Sequence, residues 1–263
     1  MQSQFKINLI LLSLALFGAN GLEAAEWNQY HGANSDNKAQ ETLASAAWLN
    51  KASSQAWKTA TPLGFSSFSV SGGRAFTLVG RTDEDGLKQE FCLALDVKTG
   101  QEVWAAKLDR LDFGRGGGDS GASDNKGGDG PRSTPSAADG KVWVYDADMN
   151  LYCFDASNGK EIWKVSVVKE YSGTPIKWDN ASAPLLEGNK VIVYGGGAGQ
   201  TFLAFERSTG KTIWKSGDET ITHATPIAAT IHGLRQILFF CVSGIVSVDA
   251  STGKELWRQK FRF

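Results

Sequence analysis

Leu93–Trp104 reads LALDVKTGQEVW, and the pattern returns three more times: YCFDASNGKEIW at Tyr152–Trp163, LAFERSTGKTIW at Leu203–Trp214 and VSVDASTGKELW at Val246–Trp257. In each copy an acidic residue, a Gly and a Trp keep one spacing: Asp96/Gly100/Trp104, Asp155/Gly159/Trp163, Glu206/Gly210/Trp214 and Asp249/Gly253/Trp257. The Trp-to-Trp intervals are 59, 51 and 43 residues. A constant local motif at variable spacing marks a repeated supersecondary unit whose length differences sit in loops.

The residue types explain the motif. An apolar alternating run ends at Asp or Glu, whose carboxylate accepts backbone N–H bonds in the following turn. Gly then supplies the positive φ that a tight hairpin needs. A second strand follows and carries the Trp on its buried side. Upstream lie further strands, separated by turns at Gly72-Gly73, Asp139-Gly140, Glu187-Gly188, Gly195–Gly199, Gly233 and Gly244. Four short strands per unit make a propeller blade. No stretch after the first residues shows helical periodicity, so the fold class is all-β.

Composition agrees. The chain has 263 residues, long enough for one large domain or two small ones, and its formal net charge is −1. That balance excludes a protein built to meet nucleic-acid phosphates with a basic face. Thirty Gly and nine Trp fit many tight turns and flat side chains filling gaps between sheets.

The four motifs resemble the PQQ-like (quinoprotein-type) β-propeller repeat family, whose signature is an A-x-D-x-x-T-G-x-x-x-W hairpin. The resemblance extends over residues 26–263, with repeats at about 65–108, 133–168, 181–217 and 224–262. It implies that Trp104, Trp163, Trp214 and Trp257 pack between blades against a neighbour's turn, a structural role. Two departures, Glu206 for Asp and Asn158 for Thr, keep hydrogen-bonding capacity. Ala56-Trp57-Lys58 looks like the tail of a repeat without the strands before it. The family's propellers have seven or eight blades, so four complete repeats imply a C-terminally incomplete ring; a compact four-bladed ring is the alternative.

Residues 1–25 read as a secretory signal: Lys6 supplies the positive charge, Ile7–Phe17 the apolar run, and Ala19, Gly21, Ala24 and Ala25 the small residues. At about 1.5 Å per residue this run falls far short of a hydrocarbon core roughly 30 Å thick. Export to the periplasm or beyond is therefore expected, with no membrane span after cleavage. The three cysteines, Cys92, Cys153 and Cys241, read as small buried hydrophobes, and no companions stand at metal-ligand spacing.

Candidate chemistry is sparse. The Gly- and Asp-rich stretch ending in GDGPR reads as a surface loop, with a calcium site as the alternative. At its end Asp129 and Arg132 are placed at the mouth of the central channel or in a salt bridge within the loop. Among His31, His223 and His232, only His223, in ITHATP, is expected to precede an inner strand. Gly195–Gly199 lacks the following helix of a nucleotide loop and reads as a hairpin turn. No catalytic, cofactor-binding or metal residue is assigned. Two functions remain. One is an exported non-catalytic scaffold that binds proteins, peptides or another ligand of the cell envelope, with no cofactor. The other, implied by the resemblance, is a dehydrogenase oxidising alcohols or sugars with pyrroloquinoline quinone (PQQ) and calcium.

Overall fold

The computed structural model describes residues 26–39, 55–110, 130–176 and 178–261. The expected signal at 1–25, Asp129 and most of the Gly- and Asp-rich loop lie outside the described residues.

Among the described residues, sixteen strands form four antiparallel sheets in strict chain order. Blade 1 holds β1 (Ser69–Ser71), β2 (Arg74–Thr82), β3 (Lys88–Asp96) and β4 (Glu102–Arg110). Blade 2 holds β5 (Ser136–Ala138), β6 (Lys141–Tyr145), β7 (Asn150–Asp155) and β8 (Glu161–Ser166). Blade 3 holds β9 (Leu185–Glu187), β10 (Lys190–Tyr194), β11 (Phe202–Glu206) and β12 (Thr212–Ser216). Blade 4 holds β13 (Ile227–Ile231), β14 (Leu234–Cys241), β15 (Gly244–Asp249) and β16 (Glu255–Lys260). This is the β-propeller architecture that the repeats announce.

The period of two along each strand builds the stack, because alternate side chains face opposite neighbours. In blade 2, Val142, Val144, Tyr152 and Phe154 pack against Phe76, Leu78 and Cys92 of blade 1. The intervening Trp143, Tyr145, Leu151 and Cys153 pack against Val191, Val193 and Phe205 of blade 3. Blade 3 meets blade 4 in the same way, through Ile192, Tyr194 and Phe202 against Ile237, Phe239 and Cys241.

The four motifs are the hairpins between third and fourth strands. Each carries a register shift at one place: Ala94/Leu95, Cys153/Phe154, Ala204/Phe205 and Ser247/Val248. A bulge there bends the fourth strand where it leaves the hairpin. In the first three motifs the Trp covers the motif Gly of the next blade, Trp104 on Gly159, Trp163 on Gly210 and Trp214 on Gly253. Its indole N–H donates to a carbonyl of that hairpin: Trp104 to Ala156, Trp163 to Arg207 and Trp214 to Ala250. Trp57 does the same to blade 1, lying on Gly100 and donating to Val97 O at 2.9 Å. The short Ala56-Trp57-Lys58 stretch is thus the Trp-bearing tail of a repeat, as its sequence suggests. Among the described residues Trp257 stays with its own blade, donating to Gln236, unlike the between-blade packing expected of it.

One element departs from the all-strand reading. Val167–Glu170 forms a single helical turn, α1, directly after β8. Ser166 caps it, and Glu170 returns a carboxylate to the Ser166 N–H at 2.9 Å. That reciprocal cap closes one turn without any amphipathic period.

Candidate functional site

In a sheet of four antiparallel strands, the connection that enters the first strand lies at the end opposite the motif hairpin. Four such connections converge on the axis and enclose a cavity of about 400 Å³. Phe65 comes from the connection into blade 1, Arg132 and Thr134 into blade 2, Ala183 into blade 3, and His223 and Thr225 into blade 4. Tyr30 and His31 complete it from the N-terminal segment.

Hydrogen bonds between successive connections fix these walls. The Thr134 hydroxyl accepts from Ser67 N–H at 3.1 Å, joining blades 1 and 2. Ser133 and Ser136 donate to the carbonyls of Ser182 and Pro184 at 3.0 and 2.6 Å, joining blades 2 and 3. The Thr225 hydroxyl accepts from Ala183 N–H at 3.0 Å, joining blades 3 and 4. Asn180 holds the connection into blade 3 by donating to the carbonyls of Tyr145, Asp146 and Ser182. Such bridges hold the wall together, although the Ser182 hydroxyl among them is buried without a partner.

The surface they present is aromatic and cationic. The Arg132 guanidinium lies 5.3 Å from the Phe65 ring centre and donates to Trp178 O at 3.3 Å. Trp178, 47% exposed, places its ring 6.2 Å from that of His223, and the Tyr30 ring lies tilted by 30° against that of His31 at 4.0 Å. Such walls offer flat apolar contact with a few fixed donors, which suits peptide or aromatic groups.

A short segment of the chain itself already crosses the first strands of three blades. Trp27 exchanges two hydrogen bonds with Val70 in β1, at 3.0 and 2.7 Å. Asn28 O accepts from Ala137 N–H in β5 at 2.7 Å, and the Gln29 side-chain carbonyl accepts from Leu186 N–H in β9 at 3.0 Å. Three consecutive residues thus engage the first strands of three consecutive blades.

Arg132, His31 and His223 are brought together at the cavity; of the two places expected for Arg132 this is the channel mouth, while Asp129, its expected companion, lies outside the described residues. His232 sits away from it, in the turn between β13 and β14. Gly195–Gly199 forms the β10–β11 turn, closed by Gly195 N–H on Thr201 O. The cysteines are free and buried, and burial pushes the Cys153 and Cys241 thiols up to about 12, so neither is a nucleophile. The axial segment and the hydroxyl bridges are not assigned in the sequence reading. A signal for the bridges exists: Thr134-Pro135, Ala183-Pro184 and Thr225-Pro226 recur before the first strands of blades 2, 3 and 4.

Near the same end, Glu90 of β3 and Asp146 of the β6–β7 turn are 2% and 1% exposed. One Glu90 oxygen accepts from Ala147 N–H at 3.1 Å, and the other, Oε1, has no hydrogen-bond partner. Asp146 accepts from the Asn150 backbone and side chain, and Asn150 also donates to Asp109, which Lys164 pairs at 3.0 Å. Burial, and then the Asp146 charge, hold the Glu90 carboxyl well above its ordinary range. Among the described residues, no group of three His, Cys, Asp or Glu side chains is arranged to hold a metal ion.

Comparison with known proteins places these features. The family described as "Outer membrane protein assembly factor BamB" matches residues 89–262. The outer membrane protein assembly factor BamB of Burkholderia pseudomallei is 27% identical over 172 residues, 64% of this chain and 37% of that protein. A tetrathionate hydrolase of Acidithiobacillus ferrooxidans is 26% identical over 150 residues, 47% of this chain and 28% of that one. Among solved structures, the quinohemoprotein alcohol dehydrogenase of Comamonas testosteroni superposes with a TM-score of 0.63 at 17% identity, over 90% of this chain and 42% of its own. The chain therefore spans well under half the length of these relatives, and the likeness to the dehydrogenase is one of fold.

Proposed function

The chain belongs to the PQQ-like repeat family described as outer membrane protein assembly factor BamB, and on that premise we propose that it is an exported, non-catalytic scaffold whose axial cavity binds polypeptide in the cell envelope. The observation that carries this reading is the seating of Trp27, Asn28 and Gln29 along β1, β5 and β9. The axial wall takes up an extended chain through main-chain N–H groups, a mode of recognition indifferent to most side chains. The aromatic and cationic lining beside it adds apolar contact and one fixed guanidinium. No helix among the described residues is long and apolar enough to cross a membrane.

A dehydrogenase of this fold would hold PQQ and calcium on the axis. Calcium takes six to eight oxygen ligands, carboxylates prominent among them. Among the described residues, the cavity lining supplies a guanidinium, two imidazoles, a phenol and two hydroxyls, and no carboxylate; Asp129 lies outside them. The described lining does not fit a calcium ion, and that chemistry favours the binding reading over the dehydrogenase one.

The test is a titration of the full chain against a fluorescently labelled, unfolded outer-membrane β-barrel polypeptide, read by anisotropy. Saturable binding is the expected result. Absence of binding, together with dye reduction by an alcohol once PQQ and calcium are added, would overturn the proposal.

A further inference from the structure

Three of the four axial edges are occupied in one register. Val70, Ala137 and Leu186 pair across their first hairpins with Ala75, Val142 and Val191. Each turns its N–H away from that hairpin and donates it to the segment at 27–29. Thr230 occupies the same position in blade 4: it pairs with Arg235, as Val70 pairs with Ala75. It is exposed, and among the described residues no hydrogen bond joins it to the N-terminal segment. At the start of the same strand, Ile227 is 39% exposed and borders the axial cavity beside Tyr30 and His223.

We propose that the inner edge of β13, centred on Thr230, is a strand-addition site for an extended peptide segment of another protein, with an apolar side chain seated against Ile227 and Tyr30. The site continues the track that the chain's own residues occupy on the three preceding blades. An edge strand with an outward N–H and apolar neighbours templates pairing with a further strand. This inference rests on the scaffold reading and narrows it to one edge and one kind of partner.

The probe is a fluorescein-labelled octapeptide of alternating Thr and Val with one central Phe and a Lys at each end, titrated into the full chain. Thr230→Pro deletes the outward N–H, and an edge position of this kind tolerates Pro. Affinity is expected to fall roughly 3- to 10-fold, the range one net hydrogen bond supports. Thr230→Val, which keeps the N–H, is expected to bind as the natural chain does. Ile227→Lys places a charge on the apolar seat without touching the ladder and is expected to weaken binding by a similar factor at an unchanged melting temperature. Hydrogen exchange of the natural chain is expected to slow at Thr230, whose N–H faces outward, when the peptide is added. The inference is overturned if the natural chain does not bind the peptide, if Thr230→Pro and Ile227→Lys both bind it unchanged, or if protection falls elsewhere. It is also overturned if concentration-dependent self-association covers this amide instead. In each case the unfolded-polypeptide titration still decides the scaffold reading separately.

Discussion

Gly159 and Gly140 share nearly one backbone conformation, φ +72° and +71°, yet meet different neighbours. A Cβ on Gly159 would stand 2.7 Å from the Trp104 ring, whereas one on Gly140 would meet nothing within 4 Å. Gly140→Ala is expected to cost about 1–2 kcal/mol from the left-handed backbone alone. Gly159→Ala adds an overpacking penalty of about 1–3 kcal/mol, because the indole cannot retreat from the hairpin beneath it. Urea unfolding of the two variants measures the difference; equal losses would mean that the Trp does not press on the hairpin. Trp104→Ala is expected to cost about 3–5 kcal/mol. Trp257→Ala is expected to cost less, since among the described residues no motif Gly lies beneath Trp257 and its indole donates to Gln236 of its own blade. These residues were legible in the sequence because their spacing is local and repeated. The departures were legible too. Asn158 accepts from Lys160 N–H at 2.8 Å, and Glu206 pairs with the Thr209 hydroxyl. Glu206 does so without the two backbone N–H bonds that Asp96 and Asp249 accept.

Between elements, charge sets the balance. The carboxylates of Asp96, Asp155 and Asp249 accept turn N–H and hydroxyl bonds that lower their pKa values, that of Asp249 to about 2, its largest cause being the Ser251 hydroxyl. Their contribution is present above the unfolded carboxylate range and is lost as pH falls toward 2. Glu90 and Asp146, buried between blades 1 and 2, act oppositely. Burial raises both, Asp146 to about 7, so their contribution is full below the unfolded range and fades as pH rises. The melting temperature is therefore expected to peak at mildly acidic pH and to decline through pH 7. Glu90→Gln should lessen that decline, Asp146 keeping its share, while leaving the acid limb unchanged. A parallel decline in the variant would show that Glu90 does not titrate there. None of this was legible in the sequence. Gln89-Glu90-Phe91 reads as an ordinary strand start, and only the adjacent blade makes Glu90 a buried acid.

At the scale of the whole molecule, the sheets, their order and the Trp-on-Gly stacking follow from the repeats. The site at the axis does not, because it is assembled from connections far apart in the chain. His223 and Arg132 stand just before first strands, and both line the cavity; for Arg132 the sequence leaves a salt bridge within its loop open as well. The track of Trp27 to Gln29 escaped because three residues that each touch a different blade carry no local period. The central claim is that this axial end receives polypeptide. The most direct measurement installs a photo-crosslinking phenylalanine analogue in place of His223, and separately in place of Ser208 on a motif hairpin. Each variant is irradiated with saturating unfolded outer-membrane β-barrel polypeptide. A covalent adduct is expected from position 223 and none from position 208. Adducts of equal yield at both positions, or none at 223, would contradict it.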